Sequence, residues 1–206
     1  PRHRLSAEQL RDTVLAASGL LVRKLGGPSV MPYQPKGVWK ESSGKEYQQS
    51  HGDDLYRRSL YTFWKRTAPP PSMLTFDATS RESCTARREL TTTPLQALVL
   101  LNDPQYVEAA RVLAERLITA HDDPQDRWTE LCERLISRPP SDAERGVIEK
   151  LYREQLENFR SDPEAAASFI SVGESPVNET LNAPEVAAVA VVVEMLFSYD
   201  ETQMKR

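Results

Sequence analysis

Residues Thr93 to Arg116 read TPLQALVLLNDPQYVEAARVLAER and contain two helix-start signals in succession. In each signal a side chain that can cap a helix, Thr93 or Asp103, directly precedes a proline. Proline is favoured at the first helical position because its fixed φ suits a helix and its missing N–H is not needed there. Apolar residues at helical spacing follow, so the stretch predicts two consecutive helices.

The same start signal recurs in the second half of the chain. Asp123-Pro124 and Asp162-Pro163 repeat it, each with an aspartate as the capping residue. Between them, Ser141 and Glu144 have the spacing of a capping box and predict the start of a further helix. The chain from Pro94 onward is therefore predicted to be an array of helices.

The last helix of this array is expected to be buried. It follows Ala183-Pro184, a weaker version of the start signal, and contains the longest apolar run, Val186 to Val193. Met195 to Phe197 continue the run after Glu194. Because a membrane span needs about 20 apolar residues, this run predicts a core helix.

The first half of the chain is less regular. A helix is predicted from Ala7 to Leu25, with Ser6 as the N-cap, Gln9 completing a capping box and Gly26-Gly27 ending it. Residues 28–52 contain prolines at three positions that forbid a continuous helix, so an ordered loop is expected there.

The segment Tyr56 to Thr67 is ambiguous between strand and helix. Its aromatic content suits a strand, but strict alternation fails and the apolar spacing is helical, so a helix is predicted. On that helix Trp64 shares a face with Leu60 and Phe63 and is expected to be largely buried. Pro69 to Pro71 should then form a stiff extended stretch.

These signals predict a mainly α fold: an irregular multi-helix bundle with long ordered proline-rich loops, at least five helices and no sheet of more than two short strands. The length of 206 residues suits one domain over residues 1–206. A division into lobes 1–93 and 94–206 is the alternative.

Charge is unevenly distributed along the chain. The net charge is −4, which argues against a general nucleic-acid binder. Between Leu55 and Arg88, however, seven basic residues face only Asp77 and Glu82. Such asymmetry indicates either an anionic partner or pairing with acidic segments of the same chain, and pairing is slightly favoured.

Both uses of the basic residues are expected together. At least two of Arg57, Arg58, Arg81, Arg87 and Arg88 should be buried and bridge to other segments, with Asp77 as one acceptor. The remaining basic residues should be exposed beside aromatic ones. The candidate binding surface comprises Trp39, Arg57, Arg58, Tyr61, Lys65, Arg66, Arg81, Arg87 and Arg88.

The sequence contains no complete catalytic or metal-binding motif. His3, His51 and His121 lack metal-ligand spacing, so no metal site is expected. Asp77 is the best acid/base candidate, although a structural salt bridge to an arginine is the favoured interpretation. Cys84 and Cys132 are far apart in sequence, and two buried thiols are favoured over a disulfide.

Several stretches resemble a known family. Residues 57–103, RRSLYTFWKRTAPPPSMLTFDATSRESCTARRELTTTPLQALVLLND, strongly resemble the planctomycete-specific domain of unknown function numbered 1553. The likeness extends to residues 1–19, PRHRLSAEQLRDTVLAASG, to residues 26–41, GGPSVMPYQPKGVWKE, and to the SYDET ending of the last helix. It is looser between Thr119 and Ala183.

The resemblance implies the C-terminal part of a large secreted bacterial protein that often carries c-type cytochrome modules. An extracytoplasmic location follows, with upstream domains, any haem module and a signal sequence outside this chain. The opening residues PRHRLSAEQL contain no apolar h-region, so no signal peptide is expected within this stretch. It contains no C-x-x-C-H, so no cofactor is expected in this part of the protein.

Three functions are consistent with these observations. The leading hypothesis is a non-catalytic binding or assembly module that packs against the upstream domains and engages an acidic protein or glycan. The second is a hydrolase-type enzyme acting on an extracellular polymer, with Asp77 in the site. The third is a docking surface for a cytochrome module, in which arginines meet haem propionates.

Overall fold

The computed structural model describes residues 3–205 and, of Lys205, the backbone only. Within this range the chain forms nine α-helices and one pair of two-residue strands, which confirms the predicted mainly α fold. The helices are α1 (Ala7–Ser18), α2 (Val38–Ser43), α3 (Pro71–Thr75), α4 (Pro94–Asn102), α5 (Pro104–Ala120), α6 (Pro124–Ile136), α7 (Asp142–Ser161), α8 (Pro163–Ile170) and α9 (Ala183–Phe197).

The two strands and two 3₁₀ turns complete the fold. Strand β1 (His3–Arg4) pairs antiparallel with β2 (Met204–Lys205), which agrees with the prediction of at most two short strands. The 3₁₀ turns cover Gly52–Tyr56 and Ser59–Tyr61.

The predicted helix starts are confirmed. The side chains of Asp103, Asp123 and Asp162 each accept a hydrogen bond from an amide N–H in the first turn of the helix that follows. Ser141 and Glu144 form the predicted capping box of α7. Helix α9 also starts where predicted, but its cap is Asn182, and its proline is at the second helical position.

The core is built around α9. This helix packs against α5, α7 and α8, and its apolar run is buried as predicted except at the half-buried Val191 and Met195. The same hydrophobic cluster includes Leu10 of α1, Trp128 of α6 and Ile148 of α7, so residues 1–93 and residues 94–206 both contribute to it. In the part of the chain that the structure describes, no helix is long and apolar enough to cross a membrane.

Helix α1 is shorter than predicted. It begins with the expected capping box of Ser6 and Gln9, but it ends at Gly19, which has φ of 78°. The guanidinium group of Arg116 lies where a side chain of residue 19 would begin, since a Cβ there would be 1.9 Å from Arg116 Nη1. The prediction of a helix to Leu25 is therefore wrong, and residues 20–25 cross the surface as non-helical chain.

The predicted helix from Tyr56 to Thr67 is also wrong. Tyr56 ends the first 3₁₀ turn, Ser59–Tyr61 form the second, and the chain between and after them is non-helical, with isolated parallel bridges at Arg57 and Thr62. The proline stretch is shorter than expected too, because Pro71 begins α3. Residues 28–52 form the predicted loop, which is ordered by hydrogen bonds and interrupted by the short helix α2.

Candidate functional site

The residues predicted to form one binding surface separate into three groups of contacts. Of the five arginines expected to bridge segments, Arg57 is buried and Arg88 is partly buried, and each donates hydrogen bonds to another segment. The first group is Arg57 with Tyr61, and the second is Trp39 with Lys65. The third group consists of Arg58, Arg81 and Arg88, which line a groove. Arg66 and Arg87 are exposed and belong to none of the three groups.

Arg57 serves the fold rather than an open surface. Its side chain is fully buried, and its guanidinium group donates hydrogen bonds to the carbonyl oxygens of Pro28 (3.0 Å), Lys24 (3.3 Å) and Gly26. The same group lies 3.9 Å from the centre of the Tyr61 ring. Arg57 therefore fixes the turn at residues 24–28, and its fork is not available to a ligand.

Trp39 and Lys65 form a second structural cluster. Trp39 is the buried residue of α2, and Lys65 Nζ lies 4.5 Å from the centre of its ring. The ammonium group also donates to the hydroxyl oxygens of Ser42 (3.2 Å) and Ser43 at the end of that helix. The Trp39 ring also contacts the rings of Tyr47 and Phe63, so it packs loop segments together rather than facing an open site.

The third group lines a groove of about 1110 Å³ beside α1. We define the groove by its charged and apolar lining residues. Its walls are the outer face of α1, the segments at residues 21–25 and 58–60, and the chain around residues 64–88. The charged lining residues are Glu8, Asp12, Arg23, Arg58, Arg81 and Arg88; the main apolar ones are Leu5, Leu21, Leu25, Leu60, Trp64 and Met73.

A loop closed at its base carries two of these arginines. Thr91 donates its amide N–H to Asp77 Oδ2 (2.8 Å) and its hydroxyl to Asp77 Oδ1 (2.8 Å), which joins the two ends of residues 78–90. We call residues 78–90 the arginine loop. The side-chain bonds of Asp77 go to Thr91 rather than to the predicted arginine, and Asp77 has φ of 62°.

Asp77, the candidate acid or base, therefore holds the loop that borders the groove. Its carboxylate is not among the groove-lining groups. Gln96 reinforces the closure by donating to the carbonyl oxygen of Thr75 (2.8 Å) and to Thr91 Oγ1 (3.3 Å).

Two of the groove arginines are neutralised by carboxylates of α1. Arg88 donates through both terminal nitrogens to Glu8, at 2.7 and 2.9 Å. Although burial opposes it, this bidentate pair holds the pKa of the Glu8 carboxyl below its usual value. Arg58 Nε lies 3.4 Å from Asp12 Oδ2, and Asp12 also accepts the amide N–H of Ser59 (2.7 Å).

The other two arginines have no carboxylate partner among residues 3–205. Arg23 is exposed and makes no hydrogen bond or ion pair with any described residue. Arg81 is exposed and places its guanidinium carbon 4.7 Å from the centre of the Trp64 ring. The groove thus contains two cations that are free to pair with an anionic group from outside.

Trp64 is only partly buried, contrary to the prediction. It packs against the core with one part of its ring, and its Nε1–H donates to the carbonyl oxygen of Ser80 (3.0 Å). The predicted shared face does not exist, because Leu60 and Phe63 are both exposed.

Arg11 was not identified from the sequence, yet it positions the groove. It is buried in α1 and donates to Gln105 Oε1 (2.6 Å), to the carbonyl oxygen of Leu55 (3.0 Å) and to that of Arg57 (2.8 Å). These bonds fix the segment that carries Arg58 into the groove. In sequence, an arginine beside Leu10 is typical of an exposed helix face, so no local signal distinguishes it.

Glu108 is a second buried charge that sequence reasoning missed. It is completely buried in α5 and accepts hydrogen bonds from the hydroxyl groups of Tyr33 (3.0 Å) and Tyr56 (2.7 Å). The amide N–H groups of Glu174 (2.7 Å) and Ser175 (2.5 Å) also donate hydrogen bonds to this carboxylate. Burial, together with the Glu108 charge, raises the pKa of both tyrosines. The Glu108 carboxylate thus accepts four hydrogen bonds from within the fold and has a structural role.

Neither cysteine pairs, and no metal site is formed by the residues the structure describes. Cys84 is exposed in the arginine loop and Cys132 is buried in α6, so the expectation of two buried thiols is wrong for Cys84. Burial raises the pKa of the Cys132 thiol to about 11, which keeps it protonated. Within residues 3–205 no three His, Cys, Asp or Glu side chains are grouped to hold a metal ion.

The fold and groove define a helical domain with a basic, partly apolar cleft, and comparison with known families places it. The family model for PSD1, described as a protein of unknown function (DUF1553), matches residues 1–152, and the chain belongs to this family. Every groove residue lies within the matched range. No curated protein and no solved structure matches the chain.

Proposed function

We propose that this chain is a non-catalytic binding or assembly module that takes an acidic partner in the groove. The supporting observation is the pair of unpaired cations, Arg23 and Arg81, in a concave site whose other charges are already matched. An arginine that faces solvent in a cleft gains most from a carboxylate, because the charge-assisted bond then forms in a partly desolvated site.

The setting of this module is part of the proposal. By its resemblance to the planctomycete family, the chain is a domain of a secreted, multidomain bacterial protein that acts outside the cytoplasm. Upstream domains of the same polypeptide are natural partners for its other surfaces. A c-type cytochrome module would be one such domain, and its haem would belong to that module.

The hydrolase alternative has less support. It relies on Asp77, whose two carboxylate oxygens accept hydrogen bonds from Thr91 and which lies outside the groove lining. A general acid or base needs a proton-accepting oxygen within reach of a substrate. The binding hypothesis uses groups that the groove leaves open, and it is therefore preferred.

The test measures binding of poly-L-glutamate by the change in tryptophan fluorescence, at low salt. The double variant Arg23→Gln/Arg81→Gln should weaken binding at least tenfold, because each charge-assisted hydrogen bond contributes about 1.5–3 kcal/mol. The matched control is Arg66→Gln/Arg160→Gln, which removes two exposed arginines that do not line the groove. Equal weakening by both variants would show that only net charge matters and would reject the groove.

A further inference from the structure

The groove also carries the two most exposed large apolar side chains of the described residues. Leu25 is 80% and Leu60 is 77% exposed, and both line the groove. They come from chain segments that are far apart in sequence, so their placement in one cleft is produced by the fold. Single exposed leucines are ordinary on a protein surface, but two converging on an arginine-lined cleft indicate an apolar contact surface.

The wall at residues 21–25 presents its side chains to the groove in alternation. Leu21, Arg23 and Leu25 line the groove, whereas Val22 and Lys24 do not. This is the period-two pattern of an extended chain, and Val22 donates its amide N–H to the carbonyl oxygen of Tyr56 (3.1 Å). The wall therefore offers an apolar, a basic and again an apolar side chain in regular order.

The same lining is poorly suited to a sugar chain. Trp64 is the groove's aromatic residue, and Arg81 covers its ring at 4.7 Å. Its Nε1–H is already bonded to the carbonyl oxygen of Ser80. A ring whose face is occupied by a cation and whose donor is paired is not an open platform for stacking a pyranose.

We infer that the ligand of the groove is an acidic amphipathic peptide segment of a partner protein, in which apolar side chains alternate with carboxylates. Its carboxylates pair with Arg23 and Arg81, and its apolar side chains cover Leu25 and Leu60. This inference depends on the proposed function and specifies the class of partner. Electrostatic and apolar complementarity would then act together, the first on encounter and the second on retention.

The experiment compares three probes: a synthetic peptide of alternating leucine and glutamate, a peptide of alternating serine and glutamate of the same length, and polygalacturonate. We expect the leucine peptide to bind at least tenfold more tightly than the other two. The variant Leu25→Ser/Leu60→Ser should abolish this preference without lowering the melting temperature, because both leucines are exposed. The control Leu95→Ser/Leu98→Ser changes two exposed leucines of α4 outside the groove and should keep the preference.

The possible outcomes separate this inference from the proposed function. If the serine peptide or polygalacturonate binds as tightly as the leucine peptide, and Arg23→Gln/Arg81→Gln weakens that binding, the groove binds anions but the peptide inference is wrong. If no probe binds more tightly to the wild type than to the double arginine variant, both proposals fail. Preference for the leucine peptide that survives Leu25→Ser/Leu60→Ser also overturns the inference.

Discussion

The guanidinium group of Arg11 donates a hydrogen bond to the backbone carbonyl oxygen of Arg57, with 2.8 Å between Nη1 and O. The side chain of Arg57 in turn donates to the carbonyl oxygens of residues 24, 26 and 28. This relay connects α1 to the wall of the groove that carries Arg23 and Leu25. Two buried arginines that do not line the groove therefore stabilise the backbone of its wall.

Replacing Arg57 by lysine should destabilise the fold by about 1.5–3 kcal/mol. A lysine ammonium cannot reproduce the planar fork that reaches three carbonyl oxygens, so at least one of these partly buried charge-assisted bonds is lost. The free energy of unfolding, measured by urea denaturation, checks this. Arg66→Lys, at an exposed position with no partner among the described residues, should stay within about 0.5 kcal/mol of wild type. Equal stability of both variants would contradict the bridging role.

Replacing Trp64 by alanine should cost about 1–3 kcal/mol, less than the 3–5 kcal/mol typical of a buried large residue. The reason is that Trp64 is only partly buried and that part of its contact is the cation–π contact with Arg81. Trp128, which is 0% exposed, provides the comparison, and Trp128→Ala should cost the full amount. Similar losses for both tryptophans in urea denaturation would show that Trp64 is a core residue after all.

The helix starts could be predicted from sequence because each is encoded locally. A capping oxygen and a proline with a fixed φ satisfy their requirements within four residues, whatever the rest of the fold does. The apolar run of α9 was equally informative, since a helix that is apolar on all sides must be buried.

The segment Tyr56 to Thr67 could not be predicted because its backbone groups bond outside it. The Arg11 side chain donates hydrogen bonds to the carbonyl oxygens of Leu55 and Arg57, and the Asp12 side chain accepts one from the amide N–H of Ser59. These groups are then not available for the i to i+4 bonds of a helix. Spacing in the sequence shows which side chains are apolar, but it does not show which distant residue will bind the backbone.

The sequence predicts a basic surface but not the groove. The density of arginines is visible in the sequence, whereas Arg23 and Leu25 fall within the predicted helix from Ala7 to Leu25, and the actual helix ends at Ser18. That helix ends at Gly19, a glycine in the left-handed conformation whose N–H caps it, and the Arg116 side chain packs against this glycine from a distant part of the chain. Charge and aromatic content can thus indicate that a site exists, whereas its geometry depends on tertiary contacts.

Replacing Asp77 by alanine should open the arginine loop. Alanine removes both acceptors of Thr91 and tolerates φ of 62° poorly, so a loss of about 1–3 kcal/mol is expected. Trypsin should then cut faster after Arg81, Arg87 or Arg88. Asp77→Asn keeps one acceptor and a residue type that tolerates positive φ, so it should cost less.

Thr91→Val is the partner test for this loop closure. If Asp77 and Thr91 act through each other, the effects of Asp77→Ala and Thr91→Val on the free energy of unfolding should not add. Strict additivity, together with unchanged trypsin cleavage, would show that the loop is closed by other contacts.

Glu194 should make the stability of the fold decrease as pH rises above the range in which ordinary glutamates ionise. It lies in α9 among apolar residues, is 4% exposed, and its Oε1 has no hydrogen-bond partner among residues 3–205. Burial raises the pKa of its carboxyl to about 8 from an ordinary value of 4.5. The folded chain therefore keeps the proton in a range of pH where the unfolded chain has lost it.

The sign of the effect follows from this difference in bound protons. Between the two pKa values the folded state binds one more proton than the unfolded state, so the free energy of unfolding falls by up to about 1.4 kcal/mol per pH unit. The contribution is complete below the unfolded pKa and is lost as pH rises through the folded one. Glu194→Gln, which cannot ionise, should remove this part of the slope in urea denaturation between about pH 5 and pH 8. Glu157→Gln, at an exposed position of α7, should keep the wild-type slope. The prediction is wrong if Glu194→Gln keeps the wild-type slope as well.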